Sequence, residues 1–385
     1  MKWELKKLGE IATFSQGIQV GLEKQLTVPK EGYVRFIRIV DYTQNTDDLR
    51  YVENPGEKYF VSEDDIVMVR YGTPGLIGRR KKGVIANNLF KIKIINNIII
   101  NDYLALFLSQ YKIQNYLRTQ GSATMPALNF GQLKTVDIFF PKSLEEQQNI
   151  VAKLDQAFAA IDQAKANIEK NIANAKELFQ SKLNQIFSQK GEGWEIKNIR
   201  DIAIVTAGQS PEGKYYNENG VGLPFYQGKK EFTEKYIGEA KVWTEKITKE
   251  ALEGDVLMSV RAPVGPINFA TQKCCIGRGL ASIRVKENFD KDFLFYYFKN
   301  IENQLTGNTG AVFNSINKSQ IEQIQITYPD IVEQRNVVSK VNKLQEQTNL
   351  LVFKYNQKLA NLEELKKSIL EKAFKGELTN NNIVA

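Results

Sequence analysis

The chain has 385 residues, is 42% hydrophobic and 25% charged, and carries a net charge of +8 without a single histidine. Its length suggests two or three domains rather than one, and its basic excess favours a polyanionic partner. Without histidine it lacks both the commonest general base and the commonest zinc ligand.

The opening, Met1-Lys2-Trp3-Glu4-Leu5-Lys6-Lys7, is charged and amphipathic, unlike a secretory signal. A mixed segment over 1–142 follows, rich in glycine, aromatic and β-branched residues. Ile66-Val67-Met68-Val69 reads as a strand, Gly72-Thr73-Pro74-Gly75 as a turn, and Asp102 to Leu117 as a helix. The most apolar run, Ile92 to Ile100, is too short and too polar to span a bilayer. From Ser143 to Lys190 there is neither proline nor glycine, so one long helix is expected over 143–191. Pro141 precedes it, Ser143 with Glu146 resembles a capping box, and Gly191 stands where a left-handed cap would end it.

A second mixed segment, 192–329, contains the turn Ala262-Pro263-Val264-Gly265, a helix from Asp292 to Leu305 and a strand over Ile321-Glu322-Gln323-Ile324-Gln325-Ile326. Its two cysteines, Cys274 and Cys275, are adjacent and read as reduced, strand-buried thiols, which fits a cytoplasmic location. A second long helix is expected over 330–378, entered after Pro329 and closed at Gly376, with a short tail at 379–385.

These elements describe the same unit twice. Trp3-Glu4-Leu5-Lys6 recurs as Trp194-Glu195-Ile196-Lys197, and Gly17 as Gly208. Asp65-Ile66-Val67-Met68 recurs as Asp255-Val256-Leu257-Met258, and Asp102-Tyr103-Leu104 as Asp292-Phe293-Leu294. Glu146-Gln147-Gln148-Asn149-Ile150-Val151 returns as Glu333-Gln334-Arg335-Asn336-Val337-Val338. Collinear matches of this extent are a tandem duplication. Val20 to Arg50 has little visible counterpart in Pro211 to Lys241.

Both long helices carry a heptad seam. In the first, Leu154, Ile161, Ile168 and Ala175 form one line, and Val151, Phe158, Ile172, Phe179 and Ile186 the other. In the second, Val337, Leu344, Leu351 and Leu365 alternate with Val341, Tyr355, Leu362 and Ile369. Such a seam expects a helix partner, most economically the other long helix, antiparallel. About 45 residues at ~1.5 Å rise would give roughly 65–70 Å of helix. Antiparallel pairing would bring the end of the second helix back near Trp3.

This layout resembles the specificity subunit of type I restriction–modification systems over essentially the whole chain. The resemblance rests on Trp3-Glu4-Leu5-Lys6-Lys7-Leu8-Gly9-Glu10-Ile11 and its copy from Trp194, on Pro141 with Glu146-Gln147 and Pro329 with Glu333-Gln334, and on the helix exits Ile186-Phe187 and Ala373-Phe374-Lys375-Gly376-Glu377-Leu378. It implies an α+β fold: two mixed α/β target-recognition domains, 1–142 and 192–329, separated by two antiparallel coiled-coil helices in a pseudo-two-fold duplication. It implies that each domain reads one half of a split DNA sequence. The helices would set the half-site separation and dock two modification subunits. Those subunits would bind S-adenosylmethionine and methylate adenine at N6, and a motor-nuclease subunit would join them. The chain itself would hold no cofactor or metal.

Phosphates are gripped by Arg, Lys and small polar groups, and base edges by Arg, Lys, Asn and Gln. In the first domain the candidates are Arg35 and Arg38, Arg70 and Tyr71, the run Arg79-Arg80-Lys81-Lys82, and Ser122 and Thr124 in a polar loop. In the second they are Tyr226, Gln227, Lys229 and Lys230, then Arg261 and Arg278, and Asn308 and Thr309 in the echoing loop. Arg261 and Arg278 read equally well as strand-end residues in local salt bridges; for the four-cation run DNA contact is the preferred reading and a plain solvated turn the alternative.

Enzyme readings fail on the residues. There is no Asn or Asp followed by Pro-Pro and an aromatic, and Gly222 to Lys229 has the wrong spacing for a phosphate loop. The acidic cluster Glu63-Asp64-Asp65 keeps only Asp255 in its copy, as a strand-opening turn would. The remaining alternative is a non-catalytic helical scaffold with protein-binding end domains. It accounts for the duplication but not for the basic, aromatic-interleaved loops.

Overall fold

The computed structural model describes residues 3–44, 47–119, 127–189, 191, 193–305 and 315–377. The chain divides into two compact units, one of residues 1–168 with 357–385 and the other of residues 169–356. Each holds a mixed domain and parts of both long helices, Leu144–Ser188 and Ile331–Phe374. This is the α+β architecture with two long helices expected from the sequence.

In the first unit Trp3–Lys7 pairs antiparallel with Asp137–Pro141. A four-stranded sheet follows in the order Ala12–Gln16, Leu89–Ile94, Ile66–Val69, Ile77–Gly78. A second runs Arg50–Glu53, Tyr33–Ile37, Gly83–Ile85, Phe60–Val61, with the two central strands parallel. The second unit repeats this plan. Glu195–Asn198 pairs with Gln325–Tyr328, and Ala203–Ala207, Leu280–Val285, Val256–Ser259 and Ile267–Phe269 form the matching four-stranded sheet. Its other sheet has five strands, Tyr216–Asn217, Trp243–Thr244, Leu223–Tyr226, Cys274–Ile276 and Glu250–Ala251, again with one parallel pair. The additional edge strand, Tyr216–Asn217, lies where the two half-sequences stop matching.

The repeated sequence motifs are the joints of this plan. Gly17 and Gly208 sit where the first strand crosses a turn of the second sheet, and a Cβ would collide with the Ile85 and Gly277 carbonyl oxygens respectively. The Glu-Gln pair at the start of each long helix supplies a buried clamp. Gln147 accepts from the Ile100 amide at 2.9 Å and donates to the Ile98 and Pro141 carbonyls at 2.8 Å each. Gln334 accepts from the Asp290 amide and donates to the Pro329 carbonyl, both at 2.9 Å. Each glutamine thus ties its long helix to the start of a domain helix, Asn101–Leu108 or Lys291–Leu305. Such buried amides must be fully bonded to be tolerated.

Each core joins one sheet, the domain helix and both long helices. In the first unit Ile66, Met68, Phe90 and Tyr103 pack with Ile150, Leu154, Leu370, Ala373 and Phe374. In the second Val256, Met258, Phe293 and Phe298 pack with Phe179, Leu183, Phe187, Val337 and Val341. Phe374 meets Tyr103 and Phe107 edge-on, and Phe187 likewise meets Tyr297 edge-on and Phe293 at a tilt. The helix segments within each unit run antiparallel. Lys366 reaches Asp162 at 3.0 Å, and Glu363 pairs with Lys165.

Several sequence expectations need correction. In the first helix Val151, Leu154, Phe158, Ile161, Ile168, Ile172 and Phe179 are all buried or half-buried. In the second, Val341, Leu344, Tyr355, Leu362 and Ile369 are too. Leu351 and Leu365 instead stand 41% and 47% exposed, and half-buried Val352 and Leu359 take that side of the seam. Leu350 to Phe353 is an unbroken apolar run, so spacing alone fits more than one phase. The helix expected from Asp102 to Leu117 breaks into Asn101–Leu108 and Tyr111–Thr119, where the Gln114 side chain binds the Gly75 and Leu108 carbonyls. Ile321 and Glu322 belong to the short helix Lys318–Glu322, and the strand begins at Gln325. Gly376 adopts the left-handed cap and lies against the Trp3 indole. Gly191 does not, and Gly193 takes the positive φ instead.

Candidate nucleic-acid interface

Backbone hydrogen bonds define matching rims in the two domains. In the first, Arg70 N donates to Asn88 O and Arg70 O accepts from Leu128 N, at 2.8 and 2.9 Å. In the second, Val260 N donates to Gly279 O and Val260 O accepts from Ile316 N, both at 3.0 Å. Ile18 N binds Ile85 O as Gln209 N binds Ile276 O, and Ala86 N binds Ile37 O as Gly277 N binds Tyr226 O. These bonds match the two domains residue by residue. Arg38 corresponds to Gln227, Arg70 to Val260, Tyr71 to Arg261, Asn87 to Arg278, and Gln19 to Ser210.

The backbone is thus shared while the side chains it presents differ. In the first rim Tyr71 donates to the Asn87 side-chain oxygen, and Asn87 donates to Gln19, each at 3.3 Å. Gln16 holds the Asn87 carbonyl at 2.8 Å. Arg70 is half-buried over the Phe90 ring, 5.9 Å from its centroid. In the second rim Gln209, Gln227, Arg261 and Arg278 are all exposed, with Lys229 and Lys230 on the short turn that follows Gln227. Neither the Arg261 nor the Arg278 guanidinium forms an ion pair among the described residues.

Other sequence candidates are already engaged or lie away from the rims. Arg35 and Arg38 both engage Asp41, whose side chain is 1% exposed, and Arg38 also reaches Asp48 at 3.2 Å. Asp48 is held below the usual carboxylate range by hydrogen bonds from Arg50 and then Arg38. Arg38 therefore reaches the rim already paired, and Arg35 braces the loop behind it. The run Arg79-Arg80-Lys81-Lys82 leaves the far end of its strand, away from Tyr71. Arg79 pairs with Asp102, Arg80 with Asp64 and Asp102, and Lys81 lies over the Tyr42 ring. Only Lys82 of the four lacks such a partner among the described residues, so the run does not join the rim. Asp65 of the neighbouring acidic cluster is itself engaged, by Lys91 at 3.1 Å and by Ser62. Tyr226 is in the core, 1% exposed, with its hydroxyl donating to Gly238 O at 3.0 Å. Its strand is buried on both faces, which the alternation of a short strand does not reveal. Ser122, Thr124, Asn308 and Thr309 fall outside the described residues.

Sequence reasoning missed Gln16, Gln19, Asn87, Gln209 and Ser210. The usable signal was the Gly17 and Gly208 repeat, which aligns the residues that follow it. Cys274 and Cys275 are buried and unbridged, and burial pushes the Cys274 thiol up to about 12. No helix among the described residues is long and apolar enough to cross a membrane.

Comparison with known proteins gives this geometry a family. The description "Type I restriction modification DNA specificity domain" matches residues 1–174 and again 191–361. A type I restriction enzyme specificity subunit of Methanocaldococcus jannaschii, MjaX, is 29% identical over 98% of this chain and 93% of its own. The StySPI specificity subunit of Salmonella potsdam is 23% identical over 98% and 89%. Among solved structures, a chain from a type I R-M system studied for complex assembly and conformational transition aligns with a TM-score of 0.80 and 25% identity, covering 97% of this chain and 98% of that one. The HsdS subunit of Thermoanaerobacter tengcongensis aligns with a TM-score of 0.61 and 26% identity over 97% of both. Two family domains in tandem, each ending in a polar rim on a shared backbone, leave one conclusion: the chain belongs to the type I restriction–modification DNA specificity subunits.

Proposed function

We propose that the two rims read the two unlike halves of an asymmetric bipartite DNA target. The recognition domains are 1–142 and 192–329, and the helices over 143–191 and 330–378 set the distance between half-sites, with a tail at 379–385. On those helices dock two adenine-N6 methyltransferase subunits, which carry the S-adenosylmethionine, and through them the restriction subunits. The chain contributes recognition and no turnover, and works in the cytoplasm where the DNA is.

The observation that carries this reading is the pair of equivalent rims with different side chains, Arg38, Tyr71 and Asn87 against Gln227, Arg261 and Arg278. A repeated scaffold presenting two different donor–acceptor sets is suited to two different sequences. Sequencing methylated adenines in cells with and without the gene tests it. One bipartite motif should disappear with the gene, and loss of no motif would refute the proposal. In the assembled complex, a reader touching 6–10 phosphates should lose ~10³–10⁵ in affinity between 50 and 200 mM salt.

A further inference from the structure

Arg278 is an exposed cation of the second rim on a closely packed, hydrogen-bonded turn. It stands between Gly277 and Gly279, both lacking a side chain because none would fit: a Cβ on Gly277 would lie 2.9 Å from the Gln227 Cα, and one on Gly279 would collide with the Gln227 carbonyl. Three backbone amides hold the turn. Gly277 N donates to Tyr226 O at 2.8 Å, Arg278 N to Ser210 Oγ at 3.2 Å, and Gly279 N to Gln227 O at 3.1 Å. The Arg278 side chain leaves this fixed point exposed and without an ion pair among the described residues.

A phosphate contact and a base contact make different demands on such a position. The phosphate backbone is alike under both half-sites, so a position whose side chain changes between the domains is better suited to reading sequence than to gripping phosphate. Its counterpart in the first domain is Asn87, which is neutral. Asn and Arg share another property: each pairs two-pronged with a purine edge, Asn with adenine and Arg with guanine.

We propose that Arg278 is a specificity-determining residue, its guanidinium pairing with O6 and N7 of one guanine in the half-site read by the second domain. Ser210 and the Gln227 carbonyl act as positioning groups that fix the turn. This rests on the reading of the chain as a DNA specificity subunit with two unlike half-sites.

The test uses the assembled methyltransferase complex and duplexes carrying each base substitution across the half-site of the second domain. Wild type should prefer guanine at one position by roughly 10- to 100-fold. Arg278→Ala should flatten that preference while leaving every other position, and the whole of the other half-site, unchanged. Arg278→Lys keeps the charge and should recover only part of the preference. Arg278 is exposed, so an unchanged melting curve should accompany both variants. Ser210→Ala should weaken discrimination at the same position and no other. Uniform weakening across all duplexes, with a salt slope smaller by about one, would mark a phosphate contact and overturn the assignment. So would an unchanged preference. A wild-type complex that discriminates no base in either half-site would instead bring down the recognition reading itself.

Discussion

Replacing Gln147 with alanine should cost unit 1 far more stability than the loss of one polar side chain suggests. The amide is fully buried and bonded to three backbone groups: the Ile100 N–H and the Ile98 and Pro141 carbonyls. Truncation strands all three, the Pro141 carbonyl in the interior and the Ile98 and Ile100 groups in a partly buried setting. At about 1–3 kcal/mol for each stranded group, the cost is about 3–5 kcal/mol once partial relaxation is allowed. Gln334 makes two such bonds, so Gln334→Ala should cost about two-thirds as much, in the other unit. Gln147→Glu should be no milder than alanine. Its carboxylate would keep the Ile100 bond but face two carbonyl oxygens with no proton to offer. Urea unfolding, with hydrogen exchange followed at Ile98 to Asn101, reads both the size and the location of the effect. A loss below about 1 kcal/mol, or equal loosening of both units, would refute the clamp.

The crossing glycines should be similarly intolerant. Gly17→Ala and Gly208→Ala each push a methyl group into a backbone carbonyl, and each should lower the melting temperature by several degrees. The corrected seam predicts that Leu351→Ala changes stability by less than about 0.5 kcal/mol, whereas Leu359→Ala costs about 1–2 kcal/mol in chemical denaturation. The hydrogen bond from Lys165 holds the Glu363 carboxyl below its ordinary 4.5. A carboxyl depressed by folding adds stability above that ordinary value and loses it as pH falls through the folded one. Lys165→Met should therefore make the acid limb of the stability curve shallower just below pH 4.5, by a small amount because the pair is exposed to solvent.

The parts of this fold that were legible in the sequence are those written twice. Trp3 and Trp194, Gly17 and Gly208, and the two Glu-Gln pairs announced a duplicated plan, and the absence of proline and glycine announced the long helices. What repetition could not convey was the purpose of each repeated residue. Gln147 looks like any polar residue in a helix until Ile98 and Ile100, nearly fifty positions upstream, are seen to close on it. The partners of the cation run were hidden for a related reason: Asp64 and Asp102, which pair with Arg79 and Arg80, are separated from them in sequence. Asn87 and Arg278 share no chemistry that an alignment would notice. Only the hydrogen bonds around them establish that they stand at the same place.

The contact between Gly376 and Trp3 fixes an order of events during synthesis. Unit 2 is a continuous stretch, residues 169–356, and can finish folding as soon as it leaves the ribosome. Unit 1 begins first yet must wait, because Leu370, Ala373 and Phe374 complete the core around Tyr103 and Phe107. Until then the nascent first domain carries an open apolar face, and a message broken a few codons early would leave it open for good. The first half of the protein to be made is the last to be finished.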